Sequence, residues 1–286
     1  MPNIREIKGR IRSVRNTAKV TRAMEMIAAS KMRRAQQRLL DSRPYSDSIL
    51  KVMENLASQV DTADNPHPLM IKREVKNIQV VYVTPDRGLC GGLNANLNRF
   101  FYRFTNSQGS DVQVVSVGKK GRDFATRSHL HIGAEFIEIG DTPSVADITE
   151  IPKTVIDMYT NGDVDEVYLC YSQFISTTMQ QPTITKILPV EPVDSDVTVI
   201  SDYIYEPGAT SVLQVLLPKF VEMQIFHAIL ESIGSEQSAR MVAMSSATDS
   251  ANEMIQDLTL LMNKVRQASI TTELLDIVGG VAALEG

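Results

Sequence analysis

From Ile4 the apolar and small residues fall at Ile4, Ile7, Ile11, Val14, Ala18 and Thr21, in alternating steps of three and four. That is the seam of a helix packed lengthwise on another helix. No glycine or proline interrupts between Arg10 and Arg43, and past Pro44 a helical period resumes at Ile49, Val52, Met53, Leu56 and Val60. The spacing predicts one helix from about residue 3 to 58, with Pro44 as the place where it would kink. At about 1.5 Å per residue it runs roughly 80 Å. Such a helix is longer than a small globular domain is wide and needs a partner of similar length. Its seam is expected to drift at Glu25, with Met24 and Ile27 or Ala28 taking over.

The partner is at the other end. From about Gly208 to Val278 the pattern is helical again, with Ile255, Leu258, Met262 and Val265 in steps of three and four. Pro218 and Gly234 are the breakers inside it. Charge supports the pairing. Residues 1–43 hold 12 basic groups against three acidic ones, and residues 207–286 hold four against nine. Two long terminal helices of opposite charge predict an intramolecular antiparallel coiled coil. Clusters of small residues (Ala28, Ala29 and Ser30; Ala243 to Ala251) allow close backbone approach. Leaving out Met1, nine of the 12 methionines lie on these ends, where they supply adaptable packing.

The middle has a different texture. Residues 59–74 read as a turn-like linker. Strands are expected at Asn77–Thr84, Asp111–Val117, Ala134–Ile139, Glu166–Phe174, Thr183–Val190 and Val197–Ser201. Helices are expected at Leu93–Ser107, Lys119–Ser128 and Val145–Tyr159. The alternation predicts a mostly parallel α/β sheet with an antiparallel addition at its end. The division is then 1–58, 59–74, 75–205 and 206–286.

Chemistry of its own is hard to find. The loop Asp86-Arg87-Gly88-Leu89-Cys90-Gly91-Gly92 follows the first strand, where a doubly wound sheet binds dinucleotides. Its spacing is not G-x-G-x-x-G, and no Walker-type motif occurs. Gly118-Lys119-Lys120-Gly121 is too short for a phosphate cradle. Cys90 as a nucleophile would need a histidine, and His129 and His131 are the candidates for it. Two cysteines and four histidines make a zinc site a poor reading. No uninterrupted apolar run reaches the roughly 18 residues of a membrane span. The N-terminus has no signal-peptide core. No catalytic, cofactor or metal residues are assigned. The readings left are a mechanical part built on a coiled coil, or a scaffold or nucleic-acid-binding coiled coil.

Three blocks carry a resemblance: Lys19 to Ala35 (KVTRAMEMIAASKMRRA), Asp86 to Asn94 (DRGLCGGLN), and the C-terminal stretch from Ser235-Glu236-Gln237-Ser238-Ala239-Arg240-Met241 through Asn263 to Thr271 (NKVRQASIT) to Gly280. Together the chain resembles the gamma subunits of F-type rotary ATP synthases, over its whole length but weakly from about 95 to 200. The resemblance implies an antiparallel coiled-coil shaft and a Rossmann-like α/β foot. It implies one copy per three alpha and three beta subunits, with epsilon and the c-ring bound below. It implies no catalysis by this chain, no nucleic acid, and membrane association only through partners, on the cytoplasmic face of a bacterial plasma membrane. Proton flow would turn the shaft and drive the catalytic sites of the ring. Contacts with that ring are expected from Arg10, Arg12, Met24, Arg33, Arg34, Gly88, Leu89, Cys90, Arg266, Gln267, Ile277 and Leu284. The regulatory cysteine pair of the chloroplast form has no counterpart, and Pro85 stands where a small residue is expected.

Overall fold

The computed structural model describes residues 3–59, 67–190, 205, 206 and 208–285. The stretch 60–66 of the expected linker and the strand expected at 197–201 lie outside them. Helices α1 (Ile4–Gln59) and α6 (Ala209–Glu285) have 56 and 77 residues. Pro44 and Pro218 lie inside them and end neither. A proline costs a helix about 3 kcal/mol. Burial of Leu213, Leu217, Val221 and Ile225 around Pro218, and of Ala35, Ile49 and Met53 around Pro44, outweighs that. Contacts divide the chain into two compact units, Met1–Ile27 with Met241–Gly286, and Ala28–Arg240.

In the first unit the covered positions of α1 include Ile4, Ile7, Ile11, Val14, Ala18, Thr21 and Glu25, and those of α6 include Met244, Thr248, Ala251, Ile255, Leu258, Met262 and Val265. Both series step by three and four. Thr21 Oγ1 lies 2.7 Å from Thr248 Oγ1, whose own hydroxyl donates to Met244 O at 2.8 Å. Counted from this pair in opposite directions, Ala18 aligns with Ala251, Val14 with Ile255, Ile11 with Leu258, Ile7 with Met262 and Ile4 with Val265. That is the register of an antiparallel coiled coil. Beside Glu25 the stripe broadens: Met24 is half-buried and Ala28 fully buried, as expected, but Glu25 is not displaced. Glu25 keeps its seam position half-buried, its carboxylate accepting from Arg22 Nη1 at 3.0 and 3.2 Å, while Ile27 is exposed. From 270 to 281 every residue of α6 is exposed.

The second unit holds a five-stranded sheet ordered β3-β2-β1-β4-β5. The strands are β1 (Asn77–Val83), β2 (Asp111–Val117), β3 (His131–Phe136), β4 (Glu166–Phe174) and β5 (Gln180–Leu188). All pairs are parallel except β4 with β5. β1 is central, and Ile78 to Val83 are buried on both faces, as a parallel strand between layers requires. Ile78, Val80 and Tyr82 pack under α2 (Leu93–Ser107) and α3 (Lys119–Arg127). Val81 and Val83 face the opposite layer, made by α5 (Glu150–Asn161) with α1 and α6.

Three expected elements move. The helix expected at 145–159 is a short α4 (Val145–Ile148) followed by α5. The third strand begins at His131, not Ala134, because its pairing with β2 starts at Gln113 opposite His131. It ends before Glu138, which adopts a left-handed φ of 62°. β5 begins at Gln180, opposite Phe174 across a tight turn. An 18-residue window within Thr210–Val281 has a mean hydropathy of 1.3, against the expectation that no stretch is apolar enough to cross a membrane. Half of that window is buried inside the protein, so core packing accounts for its composition.

Candidate functional site

The crevice beyond the carboxyl ends of β1 and β4 is where a doubly wound sheet takes its ligand. Here α6 takes it. Ser235 Oγ donates to Ser172 O at 2.9 Å, and Ser238 Oγ to Thr177 O at 2.6 Å, both just past β4 or at its end. On the β1 side Arg240 Nη2 donates to Gly88 O at 3.1 Å and pairs with Glu236 Oε1 at 2.6 Å. Asp141 accepts from Gln237 at 3.1 Å and from Lys31 of α1 at 2.6 Å. Only about 40 Å³ of space remains beside Glu236, between Thr84, Gly118 and Ser232. The loop after β1 is therefore a seat for a helix. Burial pushes the Glu236 carboxyl above its ordinary value of 4.5, against the opposing pull of Arg240.

The glycines of this edge have packing reasons. Gly118 has φ +100°, and a Cβ there would lie 2.0 Å from Thr84 O. A Cβ on Gly121 would lie 2.7 Å from Thr84 Oγ1, which already accepts from Gly121 N at 2.7 Å. Asp86 ties the same corner, accepting from Lys119 N at 2.8 Å and Glu138 N at 3.2 Å. Gly118-Lys119-Lys120-Gly121 thus brings β2 and α3 close against the end of β1.

Nucleophilic chemistry at Cys90 has no support in this geometry. Cys90 is buried, and burial pushes its thiol up, with Arg240 only partly opposing. It follows the carboxyl end of β1, whereas His129 and His131 stand at the amino end of β3, on the opposite edge of the parallel sheet. Those histidines line a groove of about 750 Å³ together with Asn77, Asp111 and Asp163. Among the described residues no group of three His, Cys, Asp or Glu could hold a metal ion.

The expected contact residues divide between the units. In the first, Arg10, Arg12, Arg266, Gln267 and Ile277 are exposed and Met24 is half-buried. Arg10 meets Glu6 at 3.8 Å, a solvent-exposed pair of little weight. In the second, Arg33 and Arg34 are exposed on α1, and the loop turns Leu89 outward (62% exposed, φ 62°) while Cys90 turns in. The side chain of Leu284 lies outside the described residues. Sequence reasoning missed Glu236 and Arg240 as the pair that holds the loop. Their spacing of four on a helix was the available signal.

The family model described as ATP synthase matches residues 3–284. An ATP synthase gamma chain of Dehalococcoides mccartyi is 54% identical over 99% of this chain and 100% of its own length. That of Chloroflexus aurantiacus is 49% identical over 99% of both. Among solved structures, a chain of the Euglena gracilis mitochondrial ATP synthase (OSCP/F1/c-ring, rotational state 3) superposes with a TM-score of 0.70 at 19% identity, covering 98% of this chain and 94% of that one. A central-stalk chain of the Tetrahymena thermophila enzyme gives 0.61 at 23% identity, covering 80% and 99%. At such identities the structures speak for the fold.

Proposed function

Because the chain belongs to the ATP synthase gamma chain family, we propose that it is the central rotor stalk of a proton-translocating F-type ATP synthase. It is a non-catalytic subunit of a membrane-associated complex whose other parts make or hydrolyse ATP. The observation that carries this reading is 54% identity over the full length of a gamma chain. One copy stands within three alpha and three beta subunits, with epsilon and the c-ring as its other partners. The complex lies on the cytoplasmic face of a bacterial plasma membrane.

The mechanism is a population shift imposed by contact. A stalk whose surface differs around its circumference meets each beta subunit with a different face. Each face favours one conformation of the site, so turning the stalk moves each site through a cycle of affinities. The chain needs stiffness, asymmetry and a grip for this, and no reacting group. Arg10, Arg12, Arg33 and Arg34 meet acidic loops of the beta subunits, a role supported by their exposure and by the excess charge of that helix. Met24 and the Gly88, Leu89 and Cys90 loop lie beside those contacts, with Leu89 the side chain that reaches outward. Arg266 and Gln267 hydrogen-bond a loop of the ring. The apolar end from Ile277 to Leu284 turns in a sleeve at its top, supported by the exposure of Ile277, Val278 and Val281. The working division is a helix at 1–58, a linker at 59–74, an α/β domain at 75–205 and a helix at 206–286.

Co-assembly tests the reading. Native mass spectrometry of the chain with alpha and beta subunits of the same source should give one copy per three and three, with sustained ATP turnover. A self-associated chain that binds RNA instead of the ring would favour a scaffold and sink the proposal.

A further inference from the structure

Helices α2 and α3 cover one face of the sheet in the second unit. They are anchored by Leu97, Phe101 and Ala125, with Tyr82 and Phe101 stacked at 4.1 Å. Their outer surface is of one sign. Arg99, Arg103, Lys119, Lys120, Arg122 and Arg127 stand against Asp123 alone, in a chain whose net charge is -5. Arg122 is occupied, at 2.9 Å from Asp123 and 4.0 Å from Glu135. Among the described residues Arg99, Arg103, Lys119, Lys120 and Arg127 make no salt bridge. Two aromatic side chains sit in the same surface. Phe100 is 38% and Tyr102 45% exposed, Tyr102 resting edge-on against Phe124 at 6.5 Å. Arg99 and Arg103, four apart, form a stripe with Tyr102 three residues from the first and Phe100 three residues from the second.

We propose that this α2–α3 face docks an acidic segment of a protein partner, with Arg99 and Arg103 gripping its carboxylates and Phe100 and Tyr102 packing its apolar side chains. Four of the six cations are arginines, whose planar fork suits bidentate carboxylate pairing. Arginine, tyrosine and phenylalanine are the residues enriched in protein interfaces, where lysine is depleted. A lipid surface would instead call for a broad apolar helix face with a polar face opposite. Here the inner face of α2 is already spent on the sheet, and two aromatics are all the outer face offers. The face is separate from the residues assigned to the ring above, so the proposal does not rest on those contacts.

The test replaces Tyr102 with a benzoylphenylalanine photo-cross-linker in the complex purified through this chain, with adducts mapped by mass spectrometry. The expected adduct lies on a stretch rich in Asp and Glu in another polypeptide of that complex. Arg99→Glu with Arg103→Glu should lower its yield about tenfold or more, since like charges then oppose. The milder pair Arg99→Gln and Arg103→Gln should lower it less, in the same order. Adducts on lipid, adducts confined to this chain, or a yield that ignores the charge of residues 99 and 103 would each overturn the proposal. Copy number per three alpha and three beta, scored in the same preparation, reports separately on the stalk reading.

Discussion

Gly118 shows how one residue is determined by its neighbour's backbone. Its φ of +100° and the 2.0 Å approach of a Cβ to Thr84 O leave no room for a side chain. Gly118→Ala should destabilise the chain by about 2 kcal/mol or more, read by urea unfolding. A change below about 0.5 kcal/mol would mean that the β2–α3 turn can move away at little cost. Glu236 gives a pH signature. Its carboxyl, raised by burial, keeps its proton to higher pH when folded than when unfolded. The native state therefore binds more protons above pH 4.5, and stability falls as pH rises from there through the raised value. Glu236→Gln should remove that slope from unfolding measured across a pH series. A slope unchanged by the substitution would show that another group causes it.

At the scale of elements, burial decides what periodicity leaves open. Glu25 stays half-buried in the seam of α1, beside Met24, because Arg22, three residues back, meets the carboxylate at the edge of the seam. A reading that treats charge as the end of a stripe cannot see that pairing. Gly234 interrupts α6 in sequence, yet the helix runs through it, and a Cβ there would meet nothing within 4 Å. Gly234→Ala should therefore stabilise the chain by about 0.5–1 kcal/mol through helix propensity, seen as a higher urea midpoint with unchanged slope. A loss of stability would mean that the space beside this glycine is not open to a methyl group in solution. The shifted bounds of β3 and β5 have a common cause: strand ends follow their pairing partners, and local composition does not encode the partner.

At the scale of the whole molecule, the two ends of α6 do different work. Residues 209–240 supply core, whereas 270–281 are exposed throughout, with Leu274, Leu275, Ile277, Val278 and Val281 apolar and uncovered. Deleting 267–286 should leave the thermal midpoint of the free chain within about 2 °C, because little buried surface is lost. The same deletion should lower ATP turnover of the assembled ring. Calorimetry of the free chain and an ATPase assay of the complex check the two halves. A large fall in the midpoint would show that this end stabilises the free chain.

The long helices, their opposite charge, the strand–helix alternation and the family were legible in the sequence, because each is written in local spacing or in contiguous motifs. The blocks around Met24, Gly88 and Arg266 named contact candidates without placing them. The tertiary structure alone decided what fills the crevice of the sheet. Ser235, Ser238 and Arg240 of α6 donate to carbonyls at or after the ends of β1 and β4, between 61 and 152 residues away in sequence. A loop placed where such a sheet takes its ligand, but without the glycine spacing to hold one, is for that reason a helix seat. The same holds for the α2–α3 face: its six cations are scattered between residues 99 and 127, and only packing against one side of the sheet gathers them on a single surface.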